Sequence, residues 1–93
     1  MIIGVCKIEL FIPNSRSLKN KRQVIKGLKD KIRNKFNVSV AEVDHQDLWQ
    51  RCALGLAIVT NDNVFVDKTV NSILSMIDME YRVEILDHVT ERR

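Results

Sequence analysis

The apolar residues of this chain change period twice over, from two to about 3.6 and back again. That order leaves few architectures open. Ile2 to Ile12 alternates: Ile2, Cys6, Ile8, Leu10 and Ile12, with Gly4 among them, fall on one side. Ile3, Val5, Lys7, Glu9 and Phe11 fall on the other. The first set is a core face, and the second begins apolar, turns charged and ends aromatic, as on a strand covered fully on one face and partly on the other. From Ser17 to Phe36 the period is helical, with Leu18, Ile25, Leu28, Ile32 and Phe36 in one apolar stripe. Pro13 to Arg16 is the turn between them, Ser17 is the expected N-cap, and Asn37 is expected to end the helix in the left-handed region. Gly27 lies opposite the stripe, and no role is assigned to it.

Val38 to Val43 is a short β-favouring run. Cys52 to Thr60 is apolar on both faces, as a central strand should be. Asn61-Asp62-Asn63 is a turn and cap cluster. Val66, Val70, Ile73, Leu74, Ile77 and Tyr81 then form the stripe of a second helix, about Val64 to Tyr81, with Asp67 expected in its first turn. Arg82 to Thr90 closes the chain as a strand, and Glu91 to Arg93 is expected to fray. The order βαββαβ predicts an α+β, ferredoxin-like split βαβ: a four-stranded antiparallel sheet with both helices on one face. Residues 1–93 are read as a single domain.

Beside the apolar stripe of the first helix runs a basic one. Lys19, Arg22, Lys26, Lys29 and Arg33 are spaced three, four, three and four residues apart, which places them on one flank. Arg16 to Lys35 holds nine Lys or Arg and one acid, Asp30, a local charge of +8, while the rest of the chain nets −5. Lys19, Lys21 and Arg22 stand in the first turns, where the helix dipole disfavours cations and free amides favour an anion. A solvated surface helix would also be lysine-rich. The dipole conflict points instead to an anion or nucleic-acid contact by Arg16, Lys19, Lys21, Arg22, Lys26, Lys29 and Arg33.

Other chemistry finds little footing. Cys6 and Cys52, the only cysteines, sit in apolar runs and read as buried thiols of a reducing compartment. No run is long enough to span a membrane, and Met1-Ile2-Ile3 enters a strand pattern without a basic leader, so a cytoplasmic protein is expected. Base stacking on such a sheet needs aromatic residues on the third strand, and Cys52–Thr60 has none. An acylphosphatase-like site would place an Arg near Arg16, but Pro13 to Ser17 lacks the glycine-rich phosphate cradle. The Asp44-His45-Gln46-Asp47 and Asp87-His88 clusters carry one His each, and loop polarity and surface histidines account for them. Neither a metal site, nor a cofactor, nor a catalytic residue is assigned. Trp49 either packs on the sheet edge or anchors a partner.

Three stretches resemble the YlxP-like family of small bacterial proteins of unknown function. They are Ser17-Leu18-Lys19 with Lys21-Arg22, Phe36-Asn37-Val38-Ser39-Val40-Ala41-Glu42-Val43, and Asp47-Leu48-Trp49-Gln50-Arg51. The resemblance runs over nearly the whole chain. It implies the ferredoxin-like fold, and also a link to translation, since family members are often encoded beside an initiation factor and a ribosome-binding factor. The leading expectation is therefore a non-enzymatic binder of RNA or a ribosomal particle. Five stripe contacts to a single strand would give a log–log salt slope of about −3.5. A second expectation is a protein-interaction module using the open sheet face, with Ile3, Val5 and Trp49 at a homodimer or partner interface. A third is a small phosphate-binding enzyme at Arg16.

Overall fold

The computed structural model describes residues 1–93. Six elements follow in order: β1 (Ile2–Phe11), α1 (Leu18–Lys35), β2 (Ser39–Asp44), β3 (Arg51–Thr60), α2 (Asn63–Asp78) and β4 (Glu84–Arg92). The strands make one antiparallel sheet in the order β2-β3-β1-β4. This is the ferredoxin-like split βαβ that the periodicity predicts. The two most apolar strands hold the centre, β1 against β3, with Cys6 opposite Leu56 and Ile8 opposite Leu54.

Both helices cover the same side. Cys6, Ile8, Leu10 and Ile12 from β1 meet Leu54, Leu56 and Ile58 from β3, and Ile25, Leu28, Ile32, Val66, Ile73 and Ile77 close over them. Each such Ile or Leu contributes roughly 1.5–3 kcal/mol when taken wholly out of water. Gly4 lets α2 come down onto β1: a Cβ at Gly4 would collide with the methyls of buried Val66. Gly27 faces open space, and nothing in the structure explains it.

Two irregularities shape the other side of the sheet. The β1–β4 register shifts at Glu9/Leu10, and the β2–β3 register shifts at Glu42/Asp44. The first leaves Leu86 without an opposite residue and the second does the same for Val43. Beyond the first shift, Asp87, Val89 and Glu91 lie across from Glu9, Lys7 and Val5 on the open face.

Several boundaries differ from the sequence expectation. Ser17 does cap α1, its Oγ accepting from Asn20 N at 3.0 Å. The helix ends at an extended Phe36 (φ −128°), and Asn37 is not left-handed; His45 is the one non-glycine residue at positive φ, 63°. The buried face of α1 is Lys21, Val24, Ile25, Leu28 and Ile32, with Leu18 and Phe36 only half-buried at its ends. Helix α2 stops at Asp78, and Tyr81 is 88% exposed rather than part of its stripe. The cause is Glu80, whose buried carboxylate binds Arg82 and Lys31 and turns the chain outward. Asp67 sits past the first turn of α2 and accepts from Arg92 Nη2 at 2.7 Å. The last residues do not fray. Arg93 N donates to Ile3 O at 2.7 Å, and Ile3 N returns a bond at 3.4 Å.

Candidate functional site

The basic flank survives the fold in a reduced form. Arg22, Lys26, Lys29 and Arg33 line one shallow groove of about 340 Å³, together with Ile25, Asp30 and, from β2, Glu42. The periodicity of α1 puts the four on one flank, and its apolar stripe, anchored in the core, turns that flank toward the β2 edge of the sheet. Arg16 and Lys19, both exposed, lie beyond the N-terminal end of the groove.

The four cations are not equally free. Lys26 donates to Asp30 at 2.9 Å, with its side chain 77% exposed. Arg33 Nη2 donates to Val40 O at 2.8 Å, and its Nη1 stands 3.7 Å from Asp30. Arg22 and Lys29 make no ion pair, nor do Arg16 and Lys19. The Lys26 hydrogen bond, with the charges of Lys26, Arg33 and Lys29 added, holds the Asp30 carboxyl below the usual carboxylate range. Asp30 thus shows that three of the four cations, Lys26, Lys29 and Arg33, act on one place. Surface pairs of this kind contribute little to stability and exchange readily.

Lys21 leaves the set. Its side chain is 1% exposed, with its Nζ 2.9 Å from Glu42 Oε2. The same Nζ donates to His45 O at 2.7 Å, Leu48 O at 2.8 Å and Gln46 O at 3.4 Å. An ammonium with those neighbours has no proton left for a phosphate. Lys21 is a pin between α1 and the β2–β3 loop. The sequence holds a signal for this, because Leu18, Lys21, Ile25, Leu28 and Ile32 follow a three-four-three-four spacing with Lys21 inside the apolar stripe. Counting charges hides it.

Cys52 lies next to this pair. Burial first, then the charge and hydrogen bond of Glu42, push the Cys52 thiol up to about 12 against the opposing charge of Lys21, so no thiolate forms there near neutrality. Burial also raises Cys6. Both cysteines are free and buried.

The two acid–histidine clusters are not brought together. His45 Nε2 lies 3.1 Å from Glu9 Oε2 on the open face, where Arg51 also approaches Glu9 at 3.5 Å. His88 is exposed on β4 opposite Ile8, hence on the helix side of the sheet. Ile3 and Val5 are half-buried on the open face, and Trp49 is 55% exposed. Beside Val5 runs an apolar groove of about 630 Å³. The sequence predicted the face but not the groove, which depends on Gly55 and Ala57 lying between bulkier neighbours.

Comparison with known proteins adds a family and a fold. The family profile described as "Protein of unknown function (DUF503)" matches residues 3–90. The uncharacterized protein YlxP of Bacillus subtilis (strain 168) is 39% identical over 83 residues, covering 89% of this chain and 90% of its relative. Two designed proteins share the fold. One is a de novo design with ferredoxin fold, at TM-score 0.60 and 11% identity, covering 100% of this chain and 84% of the design. The other is the de novo designed protein Foldit4, at TM-score 0.58 and 15% identity, covering 98% of this chain and 97% of the design. No helix is long and apolar enough to cross a membrane.

Proposed function

The chain belongs to the DUF503 family, and from the geometry of α1 we propose that it is a non-enzymatic, cytoplasmic binder of RNA or of a ribosomal particle. Arg22, Lys26, Lys29 and Arg33 hold successive phosphates, and Arg16 and Lys19 extend the contact at the positive end of the helix. One observation carries the reading: four cations share a groove in which Asp30 is the one carboxylate competing for them. Glu42, the other acid there, is already committed to Lys21.

The scale suits a strand of nucleic acid. From Arg22 to Arg33 the helix rises about 16 Å, so the four cations are strung along a line, as an extended polyanion requires, rather than gathered at one point. The first turn of α1 carries no acid, so its amides and dipole add to the attraction. Contacts of this kind position a backbone and do not read sequence. The reading therefore predicts broad affinity for single strands and leaves specificity to other surfaces.

A salt titration with single-stranded RNA tests it. The four groove contacts alone give a log–log slope of about −2.8, and Arg16 and Lys19 steepen it by about 0.7 each. The Arg22→Glu, Lys29→Glu double variant removes the two cations that have no partner of their own. It is expected to lose affinity and flatten the slope while melting at the same temperature as the native chain. Unchanged affinity in a folded double variant would overturn the proposal.

A further inference from the structure

The open face of the sheet has two unlike halves. Toward the chain termini it is apolar: Ile3 pairs with Val59 and Val5 with Ala57, while Val59 and Val89 are 64% and 52% exposed. The groove of about 630 Å³ lies here. Gly55 and Ala57 form its floor, with Val43 and Val89 rising beside them and Lys7 and Arg93 on the rim. Gly55 keeps the floor low, since a Cβ there would stand 2.8 Å from a methyl of Val43.

Toward the other end, the β2–β3 loop folds against the face. His45 reaches Glu9, and Ala53, paired with Glu9, has no exposed surface. This loop offers Leu48 and Trp49, 47% and 55% exposed, beside Asp47. It is held rigidly from behind by Lys21 through the carbonyls of His45 and Leu48. A half-exposed Trp on a pinned loop is a pre-ordered anchor rather than a floppy one.

We propose that the groove receives the Asp47–Trp49 loop of a second copy of this chain, and that the exchange is reciprocal. His45 seats the start of the loop on the open face, displaced along the strands from the groove. A two-fold axis between two such faces, running across the strands near the Lys7 and Glu9 rows, sets each loop over the other's groove. The chemistry matches at the floor, since an indole ring needs small apolar residues beneath it; on the rim Arg93 pairs with Glu91 and Lys7 with Glu9 and Asp44, so little net charge faces Asp47. The rows near the axis carry both signs, Lys7 and Arg51 against Glu9, so like charges need not face each other. Strands of ten, six, ten and nine residues, at about 3.3 Å per residue and about 4.8 Å apart, give a face of roughly 550 Å² in projection. Contoured accessible area exceeds projection, which brings the face near the ~600 Å² per partner at the lower end of standard interfaces. The helices lie on the other side of the sheet, so both basic flanks stay outside the dimer.

Nuclease-treated protein, followed by sedimentation from low to high micromolar concentration, tests the proposal. The mass is expected to rise from 10.8 kDa toward twice that value, while the emission of the sole Trp shifts to the blue. Trp49→Ala and Ala57→Glu should each remain monomeric where the native chain is dimeric. Val5→Lys serves if Ala57→Glu fails to fold. An equimolar mixture of the loop variant with the groove variant should recover association, because one intact groove meets one intact Trp. A native chain that stays monomeric, a dimer that persists in the variants, or a mixture that fails to associate would each overturn the proposal.

Discussion

Lys21 and Lys29 stand on the same helix, two turns apart, and only one of them is free. Lys21 sends its stem along the apolar stripe and its ammonium into three carbonyls and a carboxylate. Lys29 stands on the neighbouring flank and makes no ion pair. The helix presents both in the same way; what differs is what the rest of the chain brings to the tip. The β2–β3 loop and Glu42 arrive at Lys21. No carboxylate comes within ion-pair distance of Lys29, although Asp30 feels its charge. The inner edge of α1 uses its cation to hold the fold, and the outer flank leaves Arg22 and Lys29 without an ion pair.

The strongest way to break this comparison is Lys21→Met, which keeps the stem and removes the charge. Glu42, whose side chain is 18% exposed, loses its counter-ion, and the His45 and Leu48 carbonyls lose their donor. Breaking such a pair costs about 3–5 kcal/mol, and a chain of this size loses roughly 4–8 °C of melting temperature per kcal/mol. Thermal unfolding measures it. A melting point like that of Lys29→Met would mean that the two lysines are equivalent after all.

A smaller effect comes from Glu80, which treats another α1 cation as Glu42 treats Lys21. Its hydrogen bonds with Arg82, then with Lys31, hold its carboxyl down at about 2. The folded-state value lies below the ordinary 4.5, so the contribution is complete above that pH and is lost as pH falls from about 4.5 toward about 2. Because Arg82 and Lys31 are 39% and 58% exposed, the loss is on the order of 2 kcal/mol. Urea unfolding across that window should show the decline, and Glu80→Gln should flatten it.

These cases show where the sequence was legible. Strand order, the central pairing of β1 with β3 and the Ser17 cap followed from period and local chemistry, which depend on neighbours in the chain. Four of the five cations spaced along the flank line one groove for the same reason. Lys21 could not be separated from them by charge, because its partners lie 21 to 27 residues away across a loop. Tyr81 matched the helical spacing, yet the helix had already ended at a turn fixed by Glu80 with Lys31 and Arg82. The open-face groove is a product of register: Gly55, which has no side chain, forms its floor, and the β2 shift at Glu42/Asp44 leaves Val43 unpaired beside it.

The finest test of the comparison lies within the flank itself, at Asp30. It is the outer flank's one home partner, 2.9 Å from Lys26 and 3.7 Å from Arg33. In Asp30→Asn the fold loses only exposed pairs, so the melting temperature should hold. The groove gains one net positive charge and two undivided cations. If phosphates displace Asp30 from Lys26 and Arg33, single-stranded RNA should bind the variant more tightly, while the number of phosphates held, and so the salt slope, stays the same. If affinity stays as it was, Lys26 and Arg33 do not touch phosphate, and the contact contracts to Arg22, Lys29 and the helix start. The variant therefore counts how many of the aligned charges a polyanion uses, which Lys21 shows cannot be read from alignment alone.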